Sequence, residues 1–162
     1  MTLSGARCGV LPRVWRCTGR GPNGLIKMRK IVNIHYLSKL FDPLFLLSDQ
    51  ETEELSLIDF NNELATKTFF QKHVVNNFAQ YGPKSKMYCK DALQYILCAP
   101  ADLHRFPELF PYGELPVEAL GNTKLFFTWL WEELFLDQTL PSCIDEFIIN
   151  NDCNAPNSVL IK

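Results

Sequence analysis

The fold is decided by the stretch Leu125-Phe-Phe-Thr-Trp-Leu-Trp-Glu-Glu-Leu-Phe-Leu136, in which nine of twelve residues are large and apolar. On a helix, its polar positions Lys124, Thr128 and Glu132 form one narrow stripe, which Glu133 widens slightly. A helix that is apolar around most of its circumference belongs at the centre of a bundle. The stretch therefore predicts a central helix over about 123–138.

Capping and stop signals predict further helices on both sides of this segment. They are read from N-cap residues, capping-box spacings and proline or glycine stops. One predicted helix starts at Ser48 and continues through Glu54, and a second runs from Glu63, capped by Asn61 or Asn62, to about Tyr81. The others start after Ser85 and end near Cys98, start after the N-cap Asn122 and continue through the central segment, and run from Ser142 to about Asn150. Within the second of these, Phe70, Val74, Phe78 and Tyr81 fall on one apolar stripe, with His73 on the far side. The stretch from Ile31 to Leu37 reads equally as a strand or a short helix.

The expected fold is therefore mainly α: a compact helical domain around the central apolar helix, possessing a small strand pair from the Ile31 and Val159 regions. A mixed α+β fold is the alternative. The length of 162 residues favours one globular domain, taken as 28–162, behind a leader over 1–27.

The net charge of -2 conceals two regions of opposite charge. Residues 1–30 hold seven Lys or Arg and no Asp or Glu, whereas residues 31–162 hold 9 basic and 18 acidic residues, a formal -9. Three interpretations of the leader stay open. It is translated from a start assigned too early, with Met28 as the true first residue; it is a mitochondrial transit peptide; or it is a disordered basic arm.

The six cysteines predict neither a metal site nor a cofactor. No two of them have the close spacing of zinc ligands, and the three histidines stand apart in the sequence. Without a secretory signal peptide, reduced thiols are expected. A weak nucleophile candidate is Cys98 with His104 as its base and Asp102 or Glu108 to orient that base. We expect no catalytic residues beyond this candidate.

Two segments are candidates for binding a partner. The first is the run of carboxylates that contains Glu51, Glu53, Glu54 and Asp59, for which a solvated face is the ordinary interpretation and acid/base or magnesium chemistry another. The second is the proline-rich stretch 100–121, which has two interpretations: a cap packed over the core, which its apolar content favours, or a binding surface on which exposed aromatic side chains anchor an interface beside a cation. Its candidate residues are Arg105, Phe106, Phe110 and Tyr112.

These features predict a small acidic protein-binding module rather than an enzyme. A negative body repels nucleic acid and speeds encounter with basic proteins, so an inhibitor or immunity-type protein of a nuclease is one concrete version. We expect a cytoplasmic protein without a membrane span, with the mitochondrial matrix as the alternative location. The alternative functions are a Cys/His-dependent enzyme and a mitochondrial accessory factor with a cleaved leader. The leading hypothesis requires the carboxylates to form a coherent negative surface.

Overall fold

The computed structural model describes residues 29–98, 122–143, 146–150 and 152. Its elements, in chain order, are β1 (Arg29–Val32), α1 (His35–Ser38), a 3-10 helix (Lys39–Leu46), α2 (Asp49–Ser56), α3 (Glu63–Phe69), a π-helical segment (Phe70–Val75), α4 (Asn76–Ala79), α5 (Pro83–Cys98), α6 (Thr123–Leu134) and β2 (Glu146–Ile149). The architecture is mainly α with one small sheet, as the sequence predicts.

The central helix is confirmed as α6. The side chain of Asn122 accepts a hydrogen bond from the Leu125 backbone N–H at 3.1 Å, which caps the first turn. The helix ends at Leu134, short of the predicted 138, because Phe135 leaves helical geometry at φ -132° and ψ 51°.

The core is a cluster of aromatic rings around α6. Phe126 lies against four other rings, with centroid separations between 5.0 and 6.3 Å. Its partners come from the 3-10 helix, from the turn before α3, from the π-helical segment and from α6 itself: Phe41, Phe60, Phe70 and Phe127. Each buried ring contributes roughly 1.5–3 kcal/mol by leaving water, so the rings packed on α6 supply a large part of the stability of the described core.

The helix predicted to end near Tyr81 is confirmed as three consecutive helical segments. Asn62 is its N-cap, since its side chain accepts a hydrogen bond from the Ala65 N–H at 3.0 Å. The predicted apolar stripe is buried at all four positions. A π-helical segment in the middle widens the turn between α3 and α4.

The chain crosses from strand to helix within the ambiguous stretch 31–37. The strand stops at Val32, and the Asn33 side chain then accepts a hydrogen bond from the His35 N–H at 3.0 Å at the start of α1. The stretch therefore contains both predicted alternatives: a strand before Asn33 and a short helix after it.

The predicted last helix is wrong. Residues 146–149 form β2, which pairs in parallel with β1 so that Arg29 faces Glu146 and Val32 faces Ile149. The apolar run Phe147-Ile148-Ile149 suits a strand, because β-branched side chains pack well on a pleated surface. Within the described residues, the partner of the Ile31 region is β2; the predicted Val159 region lies outside those residues, and its pairing stays a prediction.

Candidate interaction site

A cleft of about 340 Å³ lies between α2 and the helical run that begins with α3. Its floor is apolar and consists of Leu55, Ile58, Ala65 and Phe69. Its rim is polar and consists of Glu51, Glu54, Thr68, Lys72 and His73. An apolar floor with a few polar groups at the edge is the usual composition of a ligand or peptide site.

Helix α2 is positioned beside α3 by one buried side chain, and its connections are fixed by a capping box and a buried hydrogen bond. Leu55 is the buried residue of α2 and anchors it to the core. At the start of α2, Ser48 and Glu51 form the predicted capping box: the Glu51 N–H donates to the Ser48 Oγ at 3.3 Å, and the Ser48 N–H donates to the Glu51 carboxylate at 2.9 Å. Beyond α2, the buried Thr66 hydroxyl donates to the Phe60 carbonyl at 3.1 Å, fixing the turn into α3.

The rim carries more negative than positive charge. The hydrogen bonds from Ser48 lower the pKa of Glu51, so this carboxylate stays ionised. Glu54 is also on the rim, 3.9 Å from the Lys72 Nζ, and both side chains are exposed. One cation therefore faces two carboxylates at the mouth of the cleft.

His73 lies half-buried on the rim, with its ring centroid 5.3 Å from that of Phe69. Burial lowers the pKa of His73, the positive charge of Lys72 lowers it further, and Glu51 opposes them. The imidazole is therefore neutral at neutral pH and adds no positive charge to the cleft.

The predicted acidic residues are divided between the cleft and the surface beside it. Glu51 and Glu54 line the cleft, whereas Glu53 and Asp59 are exposed outside its lining. Asp59 accepts a hydrogen bond from the Asn61 N–H at 3.0 Å. Within the described part of the chain, no ion pair reaches Glu53 or Asp59.

Lysine side chains lie among the carboxylates around the cleft, so these carboxylates do not form an unbroken negative surface. Lys72 approaches Glu54, and Lys67 binds Glu63. No Lys or Arg occurs between Lys39 and Lys67, a stretch that holds seven carboxylates, so the local excess of negative charge remains. Two exposed leucines, Leu57 at 80% and Leu64 at 77%, lie on the same stretch and add apolar surface to it.

The second predicted binding segment is outside the described residues. Arg105, Phe106, Phe110 and Tyr112 all fall within 99–121, and their role as anchors stays a prediction.

The cysteines differ from the sequence prediction. Cys98, at the end of α5, is bonded to Cys143, so the expectation of reduced thiols is wrong for this pair. A sulfur held in a disulfide is not a thiolate, and the nucleophile candidate would require this bond to open. Its partners His104, Asp102 and Glu108 lie outside the described residues, so their proximity to Cys98 stays untested.

Cys89 is a packing residue. Its buried thiol donates to the Tyr36 carbonyl at 3.5 Å, and burial raises its pKa to about 12. Such a thiol stays protonated and unreactive at neutral pH.

The described ranges offer no metal centre, since no three of their His, Cys, Asp or Glu side chains are grouped to hold an ion. Across those same ranges, no helix combines the length and apolar character needed to cross a bilayer.

Comparisons with protein-family models, curated proteins and solved structures found no match to this chain.

Sequence reasoning missed the cleft because it followed the core-facing stripe of the Glu63–Tyr81 helix. A second pattern was available: Ala65, Phe69 and Lys72 are spaced by four and three, so they share a second face of that helix. His73 is placed off the core stripe, as predicted, but on this second face it borders the cleft.

Proposed function

We propose that this protein binds a basic segment of another protein in the cleft between α2 and α3. The observation that carries the proposal is the combination of an apolar floor with a rim on which Glu51 and Glu54 outnumber Lys72. A partner segment with an apolar side chain next to Arg or Lys matches both parts of the cleft.

The two parts of the cleft have separate roles in this binding. Burial of an apolar side chain on Leu55, Ile58 and Phe69 supplies affinity. The exposed carboxylates beside the cleft, Glu53 and Asp59, speed encounter and orient the partner, because complementary charge acts mainly on association. Their effect reaches about 10 Å at 0.1 M salt.

An inhibitor of a basic enzyme is the concrete form that we favour, with a nuclease as the example. Nuclease sites are built positive in order to hold phosphate, so an acidic protein that covers such a site prevents substrate from entering. The stretch 100–121 would extend the contact through its aromatic residues, as predicted from the sequence.

The disulfide bears on where this binding takes place. Disulfides persist in oxidising compartments and are rare in the cytosol. The Cys98–Cys143 bond therefore counts against the cytoplasmic location predicted from the sequence. We propose a compartment in which the bond persists.

Charge reversal at an exposed carboxylate tests the proposal. Glu53→Lys changes the charge beside the cleft without removing a described ion pair, and Asp137→Lys makes the same change at an exposed position after α6. A partner captured by the wild-type chain at low salt should associate more slowly with Glu53→Lys and at an unchanged rate with Asp137→Lys. Its binding should weaken between about 50 and 200 mM salt, because screening shortens the reach of surface charges. Equal binding by both variants, or binding indifferent to salt, contradicts the proposal.

A further inference from the structure

We propose that the cleft between α2 and α3 also binds a segment of this same chain, Val10-Leu-Pro-Arg-Val-Trp-Arg16, which competes there with the external partner. The inference rests on the proposed function, since it assigns a second occupant to the same acidic cleft. It names a segment of the leader in which apolar and cationic side chains alternate closely and acidic ones are absent.

The chemistry of the segment matches the chemistry of the cleft. Trp15 and Leu11 offer apolar side chains to a floor that contains Ile58 and Phe69. Arginine pairs with carboxylates through two parallel hydrogen bonds, and Arg13 and Arg16 stand on either side of Val14-Trp15. The rim carboxylates provide acceptors for both guanidinium groups.

The tether between segment and body is long enough. Twelve residues, 17–28, separate Arg16 from the start of β1 at Arg29. Extended, they span up to about 40 Å at roughly 3.3 Å per residue. A body of this size has a radius of gyration of about 14 Å, so an extended tether of that length reaches most of its surface.

Because the segment is tethered to the body, even weak binding to the cleft gives substantial occupancy. A short tether holds the segment at an effective concentration on the order of 1 mM, so an affinity in that range already fills much of the cleft. An external basic segment must displace the leader, and removal or modification of the leader would open the site. The basic leader is then a competitive regulator of the acidic body.

Trp15 reports directly on this contact in the full-length protein. The other two tryptophans, Trp129 and Trp131, are 9% and 2% exposed, so acrylamide quenching of fluorescence is dominated by Trp15 whenever it is accessible. A Trp15→Phe variant supplies the background. We expect Trp15 to be protected in the wild-type chain and to become as quenchable as in a free peptide of residues 9–16 when docking is lost.

Two pairs of variants separate docking from general charge effects. Arg13→Glu with Arg16→Glu should expose Trp15, whereas Arg7→Glu with Arg20→Glu changes the net charge equally and should leave it protected. Thr68→Arg places a bulky cation on the exposed rim and should expose Trp15, whereas Asn76→Arg, exposed and outside the cleft lining, should not. A labelled peptide of residues 9–16 should bind the Arg13→Glu, Arg16→Glu chain about twofold more tightly than wild type, since a tethered competitor whose Kd equals its effective concentration occupies half of the cleft.

The outcomes distinguish this inference from the proposed function. If Trp15 is equally quenchable in wild type and in all variants, the leader does not dock, and capture of a salt-sensitive partner would leave the proposed function standing. If Thr68→Arg exposes Trp15 while no partner responds to Glu53→Lys, the leader contact stands and the proposed function fails.

Discussion

Lys67 on α3 lies 2.7 Å from the Glu132 carboxylate on α6, and the same Nζ lies 2.7 Å from Glu63 one turn earlier on its own helix. The hydrogen bonds to Glu132 and Glu63 raise the pKa of Lys67 well above its usual range. One cation thereby ties the helix that borders the cleft to the central helix. Within the acidic region, the charge of Lys67 is therefore engaged by two carboxylates at the partly exposed junction of α3 and α6.

We expect Lys67→Met to lower the free energy of unfolding by no more than about 1 kcal/mol, because all three groups remain partly exposed and water screens them. Chemical denaturation of Lys67→Met, Glu132→Gln and the double variant measures the coupling between the two side chains. The coupling should shrink in 1 M salt. Lys124→Met, at an exposed position of α6, is the control. Additive single-variant effects at low salt would contradict the pairing.

The capping box gives a second prediction. Ser48→Ala removes the hydroxyl that accepts the Glu51 N–H, and we expect a loss of about 1 kcal/mol in the free energy of unfolding. Ser56→Ala, at the other end of α2, is the control and should change stability little. Equal stability of the two variants would show that the cap does not hold α2 in place.

The disulfide gives a third prediction. Cys98 and Cys143 are 45 residues apart, and closing a loop of that length stabilises the folded state by about 4 kcal/mol in the chain-entropy model. Cys98→Ser, Cys143→Ser and the double variant should lose the same amount, within the typical range of about 2–4 kcal/mol, because each removes one bond. Thiol alkylation under denaturing conditions, with and without reductant, counts the bonded cysteines. Effects that add in the double variant would contradict the pairing.

The sequence alone predicts a helix or a cap correctly where the deciding residues lie close together in the chain. Asn122 and the apolar run after it predict α6, and the Ser48–Glu51 spacing predicts the capping box, because both depend on residues within one or two turns. The Ser142–Asp145 spacing has the same local form but precedes a strand. There the pairing of Phe147-Ile148-Ile149 with β1, more than a hundred residues earlier, overrides local capping preference.

The cleft and the disulfide could not be predicted from residue spacing, because both depend on tertiary packing. The cleft depends on how α2 packs beside α3, which is set by Leu55 entering a core shared with α6. The Cys98–Cys143 bond likewise depends on where the chain returns after α6. Sequence reasoning identified the acidic residues but not which of them would line a cleft.

The last prediction concerns pH and the histidine on the rim of the cleft. Burial and the neighbouring Lys72 lower the pKa of His73, with Glu51 opposing them and the Phe69 ring covering one side. The folded state therefore binds the proton less readily than the unfolded state, whose histidine titrates near the ordinary value of about 6.5. The stability that neutral His73 contributes is complete above that pH and is lost progressively as the pH falls below it. We expect the free energy of unfolding to decline from pH 7 toward pH 5 in the wild-type chain, with His73→Gln reducing the slope. Denaturation series at several pH values measure both slopes, and an unchanged slope in His73→Gln would show that another group carries the pH dependence.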